Sequence, residues 1–522
     1  MNGNAASGFA RKMLPLSIET RTRPYERIGA VSPRKKHQPQ WWASLASDPR
    51  ALKIAVALAL VVAFAFALAA AVDASSDANH SRVVVFDAGS TGNRVHVFKF
   101  SSDVDGVTLV SETFAAKSPG FRDLASKGAK VAADSLDALI DVARDEVPAK
   151  MRSRTKLTLR ATAGIRLLPE GAEAAEAIMR AARKKLMGTG FDVEDRRVSV
   201  MSGEDEGKYA WTSVNYLLGR VGVGKSFENG GGGAEDGTST VAVLDLGGGS
   251  AQIAFAVSDA AKASAPPGKG YVQSVGDGGR RDDVYVKSFA GYGLMAARAK
   301  VLATGGDDED SGGNGTHPCV PAGYVGGCEE NCYGLAPGES YVARARAAGA
   351  DFRACLAAAI KSLALDATCE DAPCGIAGAW TTPRTTKLHA MSYVYERAVQ
   401  SRAAKTYDAA TTTKTDALTV TPKDFEDAGE AVCATAAADV ATRYPDADPE
   451  HAAYLCLDVA FIRALLVDGL GVGVNEAVTI VDQIEYDGKG VEAAWALGDA
   501  VATLGEGADP DAIFGSKGRR RR

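Results

Sequence analysis

Two short glycine-rich loops decide the fold of this chain, Asp87-Ala-Gly-Ser-Thr-Gly92 and Asp245-Leu-Gly-Gly-Gly-Ser250. Each loop lies between two runs of β-branched and aromatic residues, which is the pattern of two strands joined by a hairpin. These runs cover residues 83–86 and 95–100 around the first loop, and residues 241–244 and 252–257 around the second. The second pattern begins 158 residues after the first (245 minus 87). That distance is too long for a solenoid repeat and indicates a duplicated lobe.

The rest of the chain favours a mixed α/β fold with two lobes. The chain of 522 residues is too long for one ordinary hydrophobic core, because single cores stop growing near roughly 250 to 300 residues. Between the loops, residues 129–144 and 172–186 are predicted to form amphipathic helices and residues 157–159 a short strand. Alternating strands and helices indicate mixed α/β sheets.

Both loops have the composition of a phosphate-binding site. Glycines let backbone N–H groups converge on an anion, and serine or threonine hydroxyls add further donors. Each loop begins with an aspartate, whose carboxylate would repel a phosphate unless a divalent cation lay between the two groups. Such cations prefer oxygen ligands and often keep waters. Asp87 and Asp245 therefore indicate a metal–nucleotide complex held in a cleft. The alternative for either loop is a plain hairpin turn whose aspartate supports its own backbone.

Hydrolysis also needs a base that aligns water with the bond to be broken. The segment Ser202-Gly-Glu-Asp-Glu-Gly207 offers three acids. Glu206 is our candidate because Gly207 and a helical run over residues 209–218 follow it and would hold it at a helix start. The alternative is that these acids only favour the positive end of the helix dipole.

One full motif match is rejected. Gly219-Arg-Val-Gly-Val-Gly-Lys-Ser226 has the spacing of a P-loop, but a P-loop follows a strand and opens a helix. Here the motif follows a predicted helix and runs into residues 228–237, which combine glycine with acids and are predicted to be an exposed loop, as are residues 305–315.

The N-terminal region has the pattern of a membrane anchor. Residues 1–53 carry ten Lys/Arg against three acids, an excess of seven positive charges (10 minus 3). Residues 54–72 are apolar and uncharged, and such a helix can cross most of a ~30 Å hydrocarbon layer. Because basic flanks stay in the cytoplasm, type II topology is expected, with everything after Asp73 in the lumen or exterior. A cleaved signal peptide is the alternative, although the leader and its apolar run are long for one.

The cysteines and sequons are those of a lumenal domain. All eight cysteines follow residue 318, and an even number in an oxidising compartment indicates disulfides. A zinc site at Cys328 and Cys332 is disfavoured, because no second cysteine pair has suitable spacing. Asn79 and Asn314 begin N-glycosylation sequons. The net charge of -6 and the pI near 5.7 give no support for nucleic-acid binding.

Several segments together resemble the apyrase family of nucleoside di- and triphosphate hydrolases, and they occur in the family's order. Besides the two loops they are Arg160-Ala-Thr-Ala-Gly164 with Arg166-Leu-Leu168, Gly203-Glu-Asp-Glu-Gly207 with Trp211, Tyr292-Gly-Leu-Met-Ala-Ala-Arg298, Ala390-Met-Ser-Tyr-Val-Tyr395, Cys456-Leu-Asp458 and Trp495-Ala-Leu-Gly498. The resemblance covers about residues 82–505.

The resemblance implies a duplicated actin-like (ribonuclease H-like) fold with the nucleotide between two lobes. Asp87 and Asp245 would hold waters on a Ca²⁺ or Mg²⁺ ion, Thr162 and Gln252 would place the attacking water, and Glu206 would be the base. Tyr393 or Tyr395 would stack on the nucleobase, with Tyr395 as our choice. The alternative is that these residues are core aromatics. The residues that would bind phosphate are Gly89, Ser90, Thr91, Gly92, Arg94, Gly247, Gly248, Gly249 and Ser250.

The expected organisation is a cytoplasmic tail (1–53), a signal anchor (54–72), a stalk (73–81), lobe I (82–205), lobe II (206–489) and a basic, disordered tail (513–522) with residues 490–512 returning to lobe I. Cys433 and Cys456 lie where relatives carry a disulfide. The other six cysteines allow 15 connectivities and stay unassigned.

The segment after the first loop, Asn93-Arg94-Val95-His96-Val97, is similar to Golgi and ER diphosphatases. Removal of GDP or UDP in the Golgi is therefore the expected activity, with the ER or the plasma membrane as alternative locations. Gly249 and Ala251 stand where relatives usually have Ala and Thr, and the region around His389 lacks the usual aromatic. An actin-fold kinase or exopolyphosphatase, a broad apyrase and a non-catalytic nucleotide-binding protein are the competing functions. The sequence leaves the oligomeric state undetermined.

Overall fold

The computed structural model describes residues 80–103, 106–221, 240–276, 281–304, 316–329, 332–336 and 338–506. The predicted cytoplasmic tail, membrane anchor, nearly all of the stalk, both sequon asparagines, the two predicted acidic loops and the basic tail lie outside these residues. Within the described ranges, no helix has both the length and the apolar character to cross a membrane.

The first sheet has five strands in the order β3–β2–β1–β4–β5. They are β1 His80–Ala88, β2 Asn93–Asp103, β3 Gly106–Lys117, β4 Lys156–Ala161 and β5 Asp192–Val200. Strands β1 to β3 pair antiparallel, while β4 runs parallel to β1 and β5 parallel to β4. The hairpin predicted around the first loop is therefore confirmed as β1 and β2.

Six helices accompany this sheet. They are α1 Phe121–Leu124, α2 Ala129–Asp134, α3 Asp137–Glu146, α4 Ala149–Arg152, α5 Ala163–Arg166 and α6 Gly171–Met187. The helix predicted over residues 172–186 is confirmed as α6.

The single helix predicted over residues 129–144 is wrong, because the chain breaks between α2 and α3. Ser135 lies at the break, where its hydroxyl donates to the carbonyl of Ala132 and accepts from the Asn93 amide. Serine side chains compete in this way with the backbone hydrogen bonds of a helix. The apolar periodicity continued through the break because Leu136 is still buried.

The second sheet has seven strands in the order β14–β15–β13–β6–β7–β9–β8. They are β6 Ala242–Leu246, β7 Ser250–Ala256, β8 Val272–Val275, β9 Asp282–Ala290, β13 Leu388–Ser392, β14 Leu418–Val420 and β15 Val478–Ile480. The hairpin β6–β7 and the parallel strand β13 repeat the arrangement of β1, β2 and β4. The duplication expected from the sequence is present in the strand order.

Short strands and further helices complete this part of the chain. The strands are β10 Thr316–His317, β11 Val325–Cys328, β12 Tyr341–Ala345, β16 Gln483–Tyr486 and β17 Lys489–Glu492. The helices are α7 Gly203–Leu217, α8 Asp259–Ser264, α9 Leu294–Thr304, α10 Phe352–Ser362, α11 Tyr393–Gln400, α12 Pro422–Cys433, α13 Ala437–Arg443, α14 Leu455–Ala464 and α15 Ala496–Gly505.

All eight cysteines form disulfides. The pairs are Cys319–Cys355, Cys328–Cys332, Cys369–Cys374 and Cys433–Cys456. The pair implied by the resemblance is confirmed. Of the three pairs that the sequence left unassigned, two join consecutive cysteines, and the third, Cys319–Cys355, encloses the Cys328–Cys332 pair. Cys328 and Cys332 are thus unavailable as zinc ligands.

Helices α7 and α15 lie between the two sheets. A shared core joins Val85 of β1, Trp211 of α7, Val243 of β6 and Leu497 of α15. In addition, Asp499 of α15 accepts hydrogen bonds from side chains of β4. The proposed boundary between the lobes, after residue 205, falls inside α7. These helices hold the two loop-bearing hairpins in one body.

Candidate active site

The first loop is the turn between β1 and β2, and its aspartate is paired across that hairpin. Asp87 lies directly opposite Arg94 in the antiparallel register, and Arg94 Nη1 donates to Asp87 Oδ2 at 3.0 Å. The other carboxylate oxygen, Oδ1, is buried without a hydrogen-bond partner. Burial raises the pKa of Asp87. The four-residue turn Gly89–Gly92 was a sequence signal for the Asp87–Arg94 pair, because it fixes which residues of the hairpin face each other.

The second loop joins β6 to β7 and is anchored through its carbonyls. The backbone N–H groups of Leu294 and Met295, in the first turn of α9, donate to the carbonyl oxygens of Gly247 and Gly248 at 2.8 and 2.9 Å. Asp245 Oδ1 accepts a hydrogen bond from the Ser392 hydroxyl at 2.7 Å. Burial raises the pKa of Asp245 to about 6.

The two loops touch each other. A Cβ atom added to Gly248 would lie 2.7 Å from the Ser90 hydroxyl oxygen, so this position accepts only glycine unless the first loop moves. Together with Thr162, Glu206 and Tyr393, the loops line a cavity of about 280 Å³. The residues predicted to hold metal and phosphate are therefore gathered in one place, although Gly92 and Gln252 are not in direct contact with the cavity.

Glu206 lies in the first turn of α7, whose N-terminus is capped by Ser202. Arg166 Nη2 donates to Glu206 Oε2 at 2.7 Å, and the Gln252 amide donates to the same oxygen at 3.3 Å. Burial raises the pKa of Glu206 to about 7, although Arg166 opposes the shift. A carboxylate with a pKa near neutrality suits general-base chemistry.

Gln252 connects Glu206 to the second loop. Its amide donates to the hydroxyls of Ser250 and Ser288 at 2.7 and 3.0 Å, and its backbone is paired with Asp245. Thr162 precedes α5 at the end of β4, and its N–H donates to the Ala88 carbonyl beside the first loop. Gln252, on a strand of the second sheet, thus contacts Glu206, and Thr162, at the end of a strand of the first sheet, lines the same cavity as Glu206.

Tyr393, rather than Tyr395, lines the cavity. Both belong to α11, where residues two positions apart point to different faces. Both tyrosines pack against the hydrophobic core around the second sheet, but Tyr395 does not reach the cavity. The structure therefore does not bring Tyr395 to the other predicted site residues.

Sequence reasoning overlooked Tyr333. Its phenol oxygen is buried, and a Cβ atom added to Gly249 would lie 1.9 Å from that oxygen. The Arg122 guanidinium lies 4.2 Å from the centre of the ring. No sequence motif marked this tyrosine, because it reaches the loops from the segment that follows the Cys328–Cys332 disulfide.

A hydrated divalent cation fits the two aspartates. The described residues contain no cluster of three or more His, Cys, Asp or Glu side chains that could bind a metal directly. Two carboxylates on opposite loops, one with an unsatisfied buried oxygen, instead suit a cation that keeps waters and takes phosphate oxygens as ligands.

A larger cavity of about 670 Å³ lies elsewhere, between the second sheet and residues 373–388. None of the loop residues lines it. The smaller cavity is therefore identified as the candidate site by the residues that line it and not by its volume.

Residues 73–506 match the model of the GDA1/CD39 (nucleoside phosphatase) family. The chain belongs to this family. Its membership, together with relatives named for apyrase and nucleoside-triphosphatase activity, identifies it as a phosphoanhydride hydrolase. "Probable apyrase 2" of Oryza sativa subsp. japonica is 34% identical over 435 residues, covering 81% of this chain and 86% of the relative.

Another GDA1/CD39 relative, "Ectonucleoside triphosphate diphosphohydrolase 6" of Homo sapiens, is 31% identical over 419 residues, covering 80% of this chain and 75% of the relative. Among solved structures, a nucleoside triphosphate hydrolase of Neospora caninum superposes with a TM-score of 0.54 at 16% identity, covering 84% of this chain and 95% of that one. That likeness identifies the two-lobe, actin-like α/β fold.

Proposed function

We propose that the chain removes the terminal phosphate of nucleoside diphosphates, with GDP and UDP preferred, in a metal-dependent reaction that leaves nucleoside monophosphate and phosphate. One observation supports this proposal most directly. Glu206 is buried beside both phosphate-type loops, held by Arg166 and Gln252, with a pKa raised to about 7.

The chemistry follows from the positions of these side chains. Ser90, Ser250 and the glycine N–H groups hold the terminal phosphate between the loops. Thr162 holds a water in line with the phosphorus, and Gln252 helps to place that water through its bonds to Glu206 and Ser250. Glu206 accepts a proton from the water as the new P–O bond forms. The leaving oxygen departs with the nucleoside monophosphate. Asp87 and Asp245 would hold a divalent cation through waters, and such a cation would supply charge neutralisation for the phosphates.

The diphosphate preference rests on the segment that follows the first loop. Arg94 extends into the cavity near Tyr393 and Glu396. Arg94 therefore lines the same cavity as the two loops. The similarity of residues 93–97 to the corresponding segment of the Golgi and ER diphosphatases is the reason for preferring GDP and UDP.

Broad hydrolysis of triphosphates and diphosphates is the second candidate. It is favoured by the relatives named apyrase, which include a Solanum tuberosum protein that is 33% identical over 427 residues. Phosphate release from GDP, UDP, ADP, GTP, UTP and ATP, with Ca²⁺ or Mg²⁺, separates the two candidates. Similar kcat/KM values for UDP and UTP would favour the broad enzyme. No release from any nucleotide would favour a binding protein.

Glu206→Ala tests the proposed mechanism. Loss of a general base costs at least about 100-fold in kcat. Glu204→Ala is the matched control, because Glu204 belongs to the same helical turn but pairs with Lys287 at 4.0 Å and does not line the cavity. An unchanged rate for Glu206→Ala would contradict the assignment of the base.

We also propose a single-pass type II protein of the Golgi membrane with its catalytic domain in the lumen. The basic tail at 1–53, the apolar run at 54–72 and the four disulfides support this location, because disulfides persist in oxidising compartments. Protease protection in sealed microsomes tests the topology, and digestion of the catalytic domain without detergent would contradict it.

A further inference from the structure

A buried histidine at the edge of the active-site cavity has an unsatisfied nitrogen. His96 lies on β2, is 1% exposed and lines the cavity together with Asp87 and Asp245. Its Nε2 atom is buried and has no hydrogen-bond partner. Buried polar atoms are normally paired, so an unpaired nitrogen on a residue that lines a cavity suggests a missing ligand.

The other ring nitrogen is firmly held. His96 Nδ1 lies 2.6 Å from Glu112 Oε1 on the neighbouring strand β3. The second oxygen of Glu112 accepts a hydrogen bond from the backbone N–H of Glu492. Because a carboxylate accepts, Nδ1 carries the proton, and in the neutral ring Nε2 is then an acceptor.

Asp87 supplies a second unsatisfied acceptor in the same cavity. Its Oδ1 atom is buried without a partner, whereas Oδ2 is bonded to Arg94. A hydrated cation presents the hydrogens of its waters to its surroundings, so it needs acceptors around it and not donors. Two unsatisfied acceptors beside Asp245 match that requirement.

We infer that His96, oriented by Glu112, accepts a hydrogen bond from a water on the divalent cation and so acts as a positioning residue for the metal. Glu112 fixes the tautomer, as carboxylates do for histidines that bind metals directly. This inference rests on the proposed metal-dependent function and adds a residue to the metal site that Asp87 and Asp245 define.

Two substitutions separate the roles of the two ring nitrogens. His96→Asn keeps a donor near the position of Nδ1 and can still bond Glu112, but it lacks an atom at the position of Nε2. His96→Gln places an amide near the position of Nε2 and gives up the bond to Glu112. A metal-positioning role therefore predicts the larger loss of metal affinity for His96→Asn. A purely structural role predicts the greater damage for His96→Gln.

Mn²⁺ binding provides a readout independent of turnover. The full chain is titrated with Mn²⁺ and followed by electron paramagnetic resonance, with and without the α,β-methylene analogue of UDP. His96→Asn should weaken Mn²⁺ binding at least about 10-fold, in the range found for partners that orient metal ligands. His96→Gln should lose less affinity than His96→Asn, because its amide still reaches the position of Nε2.

The matched control is His389→Asn. His389 also has a buried, unpaired ring nitrogen but does not line this cavity, so its replacement should leave Mn²⁺ affinity unchanged. Wild-type affinity in a folded His96→Asn variant, or weaker binding in His96→Gln than in His96→Asn, would overturn the inference. Absence of nucleotide hydrolysis by the wild-type chain with every metal would instead refute the proposed function.

Discussion

Arg166 Nη2 donates to the Glu206 carboxylate at 2.7 Å and lies 3.2 Å from the Ser250 hydroxyl. Its second terminal nitrogen, Nη1, donates to the Met201 carbonyl just before α7. One guanidinium thus joins the proposed base to a phosphate-binding hydroxyl. The arrangement fixes the carboxylate relative to the second loop.

Removing this guanidinium should reduce turnover more than substrate binding. Arg166→Met leaves Glu206 without its charged partner and free to rotate, so kcat should fall about 10- to 100-fold, the range that misplaced catalytic groups can cost. KM for UDP should change much less. Steady-state kinetics measure both. Arg183→Met is the control, because Arg183 contacts Val198 and Asp195 away from the cavity. An equal loss in both variants would indicate general destabilisation.

The activity should depend on pH through Glu206. Burial raises the pKa of this carboxyl to about 7, and a base works only when deprotonated. The value of kcat/KM should therefore rise with pH up to a midpoint at or below about 7, since a bound cation would lower the pKa. Arg166 opposes the effect of burial, so Arg166→Met should move the midpoint upward. A midpoint that stays the same in Arg166→Met would argue against Glu206 as the titrating group.

The strand–loop–strand units could be predicted because their signals are local. Apolar runs of β-branched residues and a glycine-rich turn specify a hairpin without knowledge of the rest of the chain, and β1–β2 and β6–β7 follow those runs. The break at Ser135 was not predictable from apolar spacing, because it depends on a side-chain bond to Asn93.

The partners of the candidate site were less accessible to sequence reasoning. The sequence places Glu206 at a helix start. It does not reveal the bond to Arg166, which lies on α5 beside the first sheet, whereas Glu206 lies on α7 between the two sheets. Tyr333 lies next to Gly249 only in the folded protein, where the segment after the Cys328–Cys332 disulfide packs against the second loop. Contacts of this kind depend on tertiary packing and leave no periodic pattern in the sequence.

Asp458 of α14 should be important for stability rather than for chemistry. It is fully buried and bonded by Arg298 at 2.6 Å and by Arg397 at 2.7 Å. Burial alone would raise the pKa of Asp458, but the two guanidiniums outweigh it and lower the pKa. Its contribution to stability is thus present above the pKa of the unfolded chain and is lost as the pH falls through the lower folded value.

Asp458→Ala should therefore lower the free energy of unfolding by about 3–5 kcal/mol, because two buried cations lose their partner. Urea unfolding followed by tryptophan fluorescence measures the change. Asp283→Ala, which removes an exposed ion pair with Lys262, should cost no more than about 1 kcal/mol. Equal midpoints for the two variants would contradict the importance of the buried pair.

Gly249 and Tyr333 should be coupled. An alanine at position 249 would place its Cβ 1.9 Å from the Tyr333 phenol oxygen and 2.8 Å from the Ala163 side chain. Gly249→Ala should therefore displace the tyrosine or the second loop and lower kcat. Tyr333→Phe removes the closest atom, so the double variant should recover part of the lost activity.

Phosphate release from UDP in the two single variants and the double variant gives the coupling energy, which for contacting residues is about 0.5–3 kcal/mol. Tyr341→Phe is the control for Tyr333→Phe, because Tyr341 lies on β12 and outside the cavity lining. Strict additivity of the two changes would mean that Tyr333 does not restrict the loop, and the glycine would then need another explanation.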